Sequence, residues 1–259
     1  MKKGSLGDMK YEVKKALREQ KKIKMPGNIY YWTQTKFAYN SNHIEGSKLT
    51  EEQTRMIYET KTFISNGEEA IRYDDVVETG NHFRLFDYML DHCDEPLTIS
   101  MIHKFHEILK TGTTDSSLDW FVVGGWKKLP NTIGDNIETS APDKVEEDIA
   151  SLLNEYNTIS KVTLEDIIDF HYRFESIHPY QDGNGRVGRM IMFKECLKHD
   201  IVPFIIEDMH KSFYYRGLKN YKTDVVYLVD TCLNAQDRYK AYYDKMIGDL
   251  YKKKNDMER

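Results

Sequence analysis

The stretch from His178 to Arg189, His-Pro-Tyr-Gln-Asp-Gly-Asn-Gly-Arg-Val-Gly-Arg, constrains this chain more than any other. Gly183 and Gly185 flank Asn184, so the backbone can bend there through conformations closed to most side chains. Successive amide N–H groups in such a bend can converge and hold an anion. From Arg186 onward, Val187, Met190, Ile191 and Leu197 recur near helical spacing, which predicts a helix starting at about Gly185. Its first turn carries Arg186 and Arg189 on one face. Cations are disfavoured at the positive end of a helix, so two arginines there imply a strongly negative group against them. A glycine bend, a helix N-terminus and two guanidinium groups together describe a polyphosphate cradle. Asp182 could hold Mg²⁺ against those phosphates. His178, four residues earlier, could take a proton from an attacking hydroxyl near neutral pH. A Gly-Asn-Gly run alone is an ordinary turn; the coincidence of compatible groups within one short stretch is what marks a site.

Residues 178–189 resemble the signature of Fic-domain proteins, His-Pro-Phe-x-Asp/Glu-Gly-Asn-Gly-Arg-x-x-Arg. Only Tyr180 departs from it, standing where the pattern has Phe. The swap keeps an aromatic anchor and adds a hydroxyl that needs a partner if buried. The resemblance implies an enzyme that moves AMP from ATP onto a Tyr, Thr or Ser hydroxyl of a target protein. Its implied roles are Asp182 holding Mg²⁺ (or Mn²⁺) on the α- and β-phosphates, and the backbone of Gly183, Asn184 and Gly185 around the phosphoryl oxygens. Arg186 would steady the β-phosphate and Arg189 the γ-phosphate. His178 would deprotonate the attacking hydroxyl while pyrophosphate leaves in line.

A second segment gains meaning beside the first. Ser41-Asn42-His43-Ile44-Glu45-Gly46 places Ser41 and Glu45 one above the other on a helix, with Gly46 where helices often end. Alone it reads as a helix terminus. Beside the signature it resembles the inhibitory motif of Fic proteins, Ser/Thr-x-x-x-Glu-Gly/Asn, in the subclass with an N-terminal inhibitory helix. The resemblance implies that Glu45 pairs with Arg189 and disturbs the γ-phosphate. One carboxylate then occupies the guanidinium fork that a phosphate needs.

The remaining chain reads as mainly α, a helical bundle with one small hairpin. Helical spacing predicts segments over about 11–20, 29–44, 50–62, 73–92, 98–109, 142–158 and 163–177, with further helices from about Asp208 and Thr223. Pro26-Gly27 and Asn66-Gly67 read as breaks, and residues 1–9 as loose. His103, His106 and Glu107 share one helix but lack a metal-site spacing, so a structural role is expected. Residues 112–141 are rich in Gly and Pro, with β-prone pieces at Trp120–Val123 and Asn131–Ile133, and are the place for a hairpin. In Fic relatives a hairpin called the flap stands here and holds the target by strand addition; its expected position is 127–141. The alternative is a surface loop without a role. Tyr214, Tyr215 and Asn220 fall where relatives line the adenine pocket, with core packing as the competing reading.

These readings divide the chain into an N-terminal helical region (1–96), a Fic core (97–235) and a C-terminal helix and tail (236–259). The net charge of −5 gives no electrostatic reason to bind nucleic acid. No apolar run reaches the length of a spanning helix, and the basic N-terminus lacks an apolar signal core. Cys93, Cys196 and Cys232 are widely spaced without a Cys-x-x-Cys, as expected of reduced cytoplasmic thiols. Helical faces left exposed could pair two copies. The resemblance implies two rival functions: removal of AMP with Glu45 positioning a water, as in some relatives, and transfer of phosphate or phosphocholine; a nucleotide-binding module without catalysis is a third. Phosphate-transferring relatives depart from the Gly-Asn-Gly that this chain keeps, and the intact His178 disfavours a module.

Overall fold

Local chemistry sets most helix boundaries. The computed structural model describes residues 12–23, 25–62, 64, 70–134 and 137–257, with the side chains of 137 and 248–257 outside the description. The stretch 1–9, Tyr11 and the Asn66-Gly67 turn also lie outside it. Helix α1 (Val13–Ile23) buries Val13 and Leu17 and stops before Pro26-Gly27. Helix α2 (Ile29–Ile44) opens at Asn28, whose side chain accepts from the Tyr31 amide, the bond of an N-cap. Helix α3 (Glu51–Thr60) starts on the expected Thr50 cap, and Gln53 reaches back to complete a capping box. Helices α4 (Tyr73–Asp91) and α5 (Ile99–Lys110) flank Pro96, with Thr98 capping α5. Helices α6 (Val145–Asn157) and α7 (Leu164–Ile177) follow, α7 opening on a Thr163–Asp166 capping box. Helix α8 (Asn184–Lys198) continues from the signature loop. A 3₁₀ turn at Asp208–His210 leads into α9 (Lys211–Asn220), and α10 (Val226–Met257) runs on past position 235 as one helix.

Two expectations change. Trp120–Val123 forms no strand: Phe121 is buried against the His106 ring at 6.0 Å and under the Lys110 ammonium at 5.3 Å. Packing of one aromatic overrides β-propensity there. Helix α6 begins at Val145, because residues 142–144 make a turn in which the Lys144 amide donates to Ala141 O. The hairpin does form inside 127–141. Strands β1 (Thr132–Ile133) and β2 (Ile137–Glu138) pair antiparallel, Thr132 opposite Glu138 and Ile133 opposite Ile137.

Helix α8 lies at the centre. Its sequence suggested one apolar face, yet it is buried nearly all round, charged residues included. A helix covered on every side is a core helix. Phe193 packs at 5.2 Å from Phe37 of α2 and 5.6 Å from Phe86 of α4. Each such ring, fully buried, contributes roughly 1.5–3 kcal/mol. Lys194 and Glu195 pair at 2.6 Å inside this core, and Tyr156 OH donates to Glu195 at 3.0 Å. The aromatics of α2 dock as expected: Trp32 stacks on Tyr242 of α10 at 4.3 Å. One buried cluster takes in residues from Val13 to Tyr243, so the three stretches drawn from the sequence share a core. All three cysteines are buried and unpaired. Among the described residues no helix is long and apolar enough to cross a membrane.

Candidate active site

Helix α7 ends at His178 in a left-handed backbone, φ 53° and ψ 61°. That conformation disfavours a side chain and persists only where the surroundings over-determine it. The following loop is tied down by Asn184. Its side-chain oxygen accepts from Tyr180 N at 2.8 Å and its Nδ2 donates to Tyr180 O at 2.8 Å. Tyr180 is fully buried and stacks on His106 at 3.8 Å, and its extra hydroxyl meets Nδ1 of His103 at 3.2 Å. His106 accepts from Gly124 N at Nδ1, so its Nε2–H donates to Asp182 O. The two histidines of α5 therefore brace the loop, the structural role expected of them.

His178 faces the site in a defined tautomer. Its Nδ1 lies 3.3 Å from Glu175 O, a group that can only accept, so Nδ1 carries the proton. The Nε2 lone pair is left to take a proton. Burial pulls the His178 pKa below its ordinary value, which keeps the ring in the basic form at neutral pH.

The cradle is built at the start of α8. Gly183 is its N-cap, at φ 85°, and the first helical bond runs from Val187 N to Gly183 O at 3.0 Å. The amides of Asn184, Gly185 and Arg186 thus lie in the first turn, which has no partners within the helix. Arg186 is buried and donates to Glu78 of α4 and, at 2.9 Å, to Asp182 Oδ2. Lys110, at the end of α5, donates to both of the same carboxylates, at 2.5 Å to Glu78 and 2.6 Å to Asp182. Burial works to raise the Asp182 carboxyl, but Arg186 and Lys110 outweigh it and hold it well below the usual range. Sequence reasoning missed Glu78 and Lys110. Their signal was weak: single charged residues at inward positions of amphipathic helices.

Arg189 is gripped from α2. Its Nε donates to Ser41 Oγ at 3.0 Å, and its Nη2 to Ser41 O at 2.9 Å and Glu45 Oε1 at 2.7 Å. Gly46 then turns the chain at φ 91°. Gly185 leaves the room Glu45 occupies: a Cβ there would lie 2.2 Å from Glu45 Oε1. Burial works to lower the Arg189 pKa, and Glu45 more than offsets it. At hydrogen-bond distance three carboxylates (Glu45, Glu78, Asp182) balance three cations (Lys110, Arg186, Arg189), with Asp115 farther out, 3.9 Å from Lys110.

The expected adenine-pocket residues divide. Tyr214 is buried, its hydroxyl 2.7 Å from His171 Nε2, with Arg189 over its ring at 5.9 Å. Tyr215 is half exposed and donates to Ile44 O at 3.0 Å, at the end of α2. Asn220 donates to Arg216 O within its own helix. For a divalent cation the donor set is one hard, half-exposed carboxylate, Asp182, and no cluster of three ligands exists among the described residues. That fits a Mg²⁺ carried in on phosphates rather than a protein cage.

Residues 96–196 match the Fic/DOC family. The chain is 26% identical over 184 residues to protein adenylyltransferase Fic of Nematostella vectensis, covering 70% of this chain and 41% of that protein. It is 25% identical over 186 residues to protein adenylyltransferase fic-1 of Caenorhabditis elegans, covering 70% and 35%. The chain thus spans about two fifths of the length of these curated relatives. Among solved structures, a Fic domain containing signaling protein from Bacteroides thetaiotaomicron superposes with a TM-score of 0.72 at 22% identity, over 90% of this chain and 96% of that one. Fic-1 from C. elegans superposes with a TM-score of 0.67 at 19% identity, over 92% and 67%. The helical fold is shared with these solved structures, and the stretch that matches the Fic/DOC family takes in the loop, the histidine and most of the cradle described above.

Proposed function

We propose that the protein is an adenylyltransferase that moves AMP from ATP to a Tyr, Thr or Ser hydroxyl of a target protein, held back by Glu45. The observation that carries this reading is the free Nε2 of His178 one loop before an amide-and-arginine cradle. The attacking oxygen forms a bond to the α-phosphorus as His178 Nε2 takes its proton. The bond from the α-phosphorus to the bridging oxygen breaks, and pyrophosphate leaves. Amides of the first turn of α8 hold the phosphoryl oxygens, where preorganised donors act most strongly. Arg186 orients the β-phosphate and Arg189 the γ-phosphate. Asp182 would hold Mg²⁺, which when bound neutralises charge on the phosphates. Glu45 competes with the γ-phosphate for Arg189. The hairpin over 127–141 receives the target segment. The three unpaired thiols support a reducing compartment such as the cytoplasm.

The test uses ATP labelled at the α-phosphate and a cell lysate as acceptor. Wild type labels protein weakly, Glu45→Gly labels it strongly, and Glu45→Gly with His178→Ala does not. Tight ATP binding without labelling in any variant would overturn transfer in favour of a binding module. AMP release from labelled protein that is lost in Glu45→Gly would overturn it in favour of a hydrolase.

A further inference from the structure

The left-handed backbone at His178 needs something to hold it, and the loop's own bonds to Asn184 begin only at Tyr180. The carbonyls on either side of the histidine are taken by one residue outside the signature. Lys127 donates through its backbone amide to Pro179 O at 2.9 Å and through Nζ to Ile177 O at 3.4 Å. The same ammonium donates to Asn131 Oδ1 and Thr139 Oγ1, each at 2.7 Å. Asn131 immediately precedes β1 and Thr139 immediately follows β2, so this one group joins the two feet of the hairpin. Two more bonds reinforce the junction: Ser140 N donates to Ile177 O at 3.3 Å, and Asn131 Nδ2 to Tyr180 O at 2.9 Å.

Lys127 is 3% exposed, and its three acceptors are neutral oxygens. An ammonium has three donors, so the group is saturated there. Burying a cation without a carboxylate is unfavourable, and burial lowers this lysine's pKa to about 8. Methionine would fill the same space without that penalty. The charge is therefore set where its geometry matters rather than where it adds stability.

We propose that Lys127 is a positioning residue for the transfer, tying the feet of the target-receiving hairpin to the carbonyls that flank His178. On this view a target strand added to the hairpin and the base that deprotonates its hydroxyl are registered through one ammonium. The inference rests on the transferase reading given above, and Lys127 touches neither ATP nor the target hydroxyl.

The test compares Glu45→Gly with Glu45→Gly/Lys127→Met and Glu45→Gly/Lys127→Arg. In the Met variant, ATP affinity by calorimetry stays within about two-fold, since no cradle residue changes. Label transfer from α-labelled ATP to a lysate falls about ten-fold or more, the scale expected when reacting groups are misplaced. The Arg variant, which keeps donors and charge, recovers part of the loss. His178 is followed by its own NMR titration. The charged groups that act on it are Lys127, Glu45 and Asp182, with the Glu175 carbonyl on Nδ1. Loss of the Lys127 charge moves the imidazole titration to higher pH. Should Lys127→Met fail to fold, Thr139→Val removes one acceptor and leaves the lysine; it lowers transfer in the same direction, by a smaller factor. Transfer within two-fold of Glu45→Gly together with an unmoved His178 titration would overturn the proposal. If Glu45→Gly itself transfers nothing, the transferase reading falls, while the titration still decides whether Lys127 acts on His178.

Discussion

Glu45 and Arg189 stand 144 positions apart in the chain and meet at 2.7 Å, with Ser41 accepting from Nε and Nη2 while Nη1 makes no hydrogen bond. On the function proposed above, inhibition is a competition for one fork of donors. Replacing Glu45 by Gly is expected to tighten ATP binding and raise AMP transfer about ten-fold or more, within the usual range of coupling between competing ligands. Ser41→Ala acts in the same direction by a smaller factor, because Ser41 O remains. Calorimetry with ATP and α-label transfer check both.

Glu78 is the hidden partner of the cradle. It is almost fully buried and accepts from both Lys110 and Arg186. Glu78→Ala leaves two buried cations on Asp182, with only the more distant Asp115 beside Lys110, at 3.9 Å. Breaking a buried pair in this way costs about 3–5 kcal/mol, because an uncompensated charge stays behind. Denaturant unfolding is the measurement. A loss below about 1 kcal/mol would contradict the assignment of Glu78 as the main counter-ion.

Stability should pass through a maximum near pH 6.5. Burial holds His82, His106 and His171 down to about 3, against 6.5 when unfolded. Below pH 6.5 the unfolded chain binds more protons at these three rings, so stability falls as pH falls. Burial raises Glu175 to about 8, against 4.5 when unfolded. Its contribution is full below 4.5 and is lost as pH rises toward 8. Between 4.5 and 6.5 the three histidines outweigh the one glutamate, and stability still rises with pH. Well above 6.5 the glutamate takes over, and stability falls toward pH 8. Melting temperature against pH tests this, and Glu175→Gln should flatten the alkaline side and steepen the rise on the acid side.

Gly188 marks a tight approach between α7 and α8. A Cβ there would lie 2.5 Å from Glu175 Oε1 and 2.9 Å from the His171 ring. Both neighbours are buried and cannot swing away. Gly188→Ala is expected to destabilise the fold by about 1–3 kcal/mol, as overpacking does. The melting temperature reports it.

The acid limb of activity lies lower than for a free imidazole. Burial depresses His178, so transfer by Glu45→Gly falls off only below the ordinary histidine pKa of 6.5. A pH profile of label transfer whose acid limb sits above that value would contradict the assignment of His178 as the base.

Much of this site could be read from the chain because its chemistry is contiguous. His178, Asp182 and both arginines fall within one loop and one helical turn, where spacing is geometry. The boundaries of α2 and the Thr50, Thr98 and Thr163 caps were legible for the same local reason. Glu78, Lys110 and Lys127 were not. Each is a charged residue of a type common on surfaces, and only tertiary packing shows that it points inward. Trp120–Val123 failed in the opposite way: β-prone residues found a buried ring contact and no neighbouring strand. The encirclement of α8 was also invisible, because its buried charges read as a polar face.

The even balance of acids and bases around the cradle has a kinetic side. A nucleotide approaching the resting protein meets little long-range attraction from these groups, so its capture rate should respond weakly to ionic strength. Withdrawal of the Glu45 carboxylate makes the site one charge more positive, and added salt should then slow capture more visibly, as it does wherever opposite charges steer an encounter. The same side chain that fills the fork thereby sets how strongly the protein draws its nucleotide from solution.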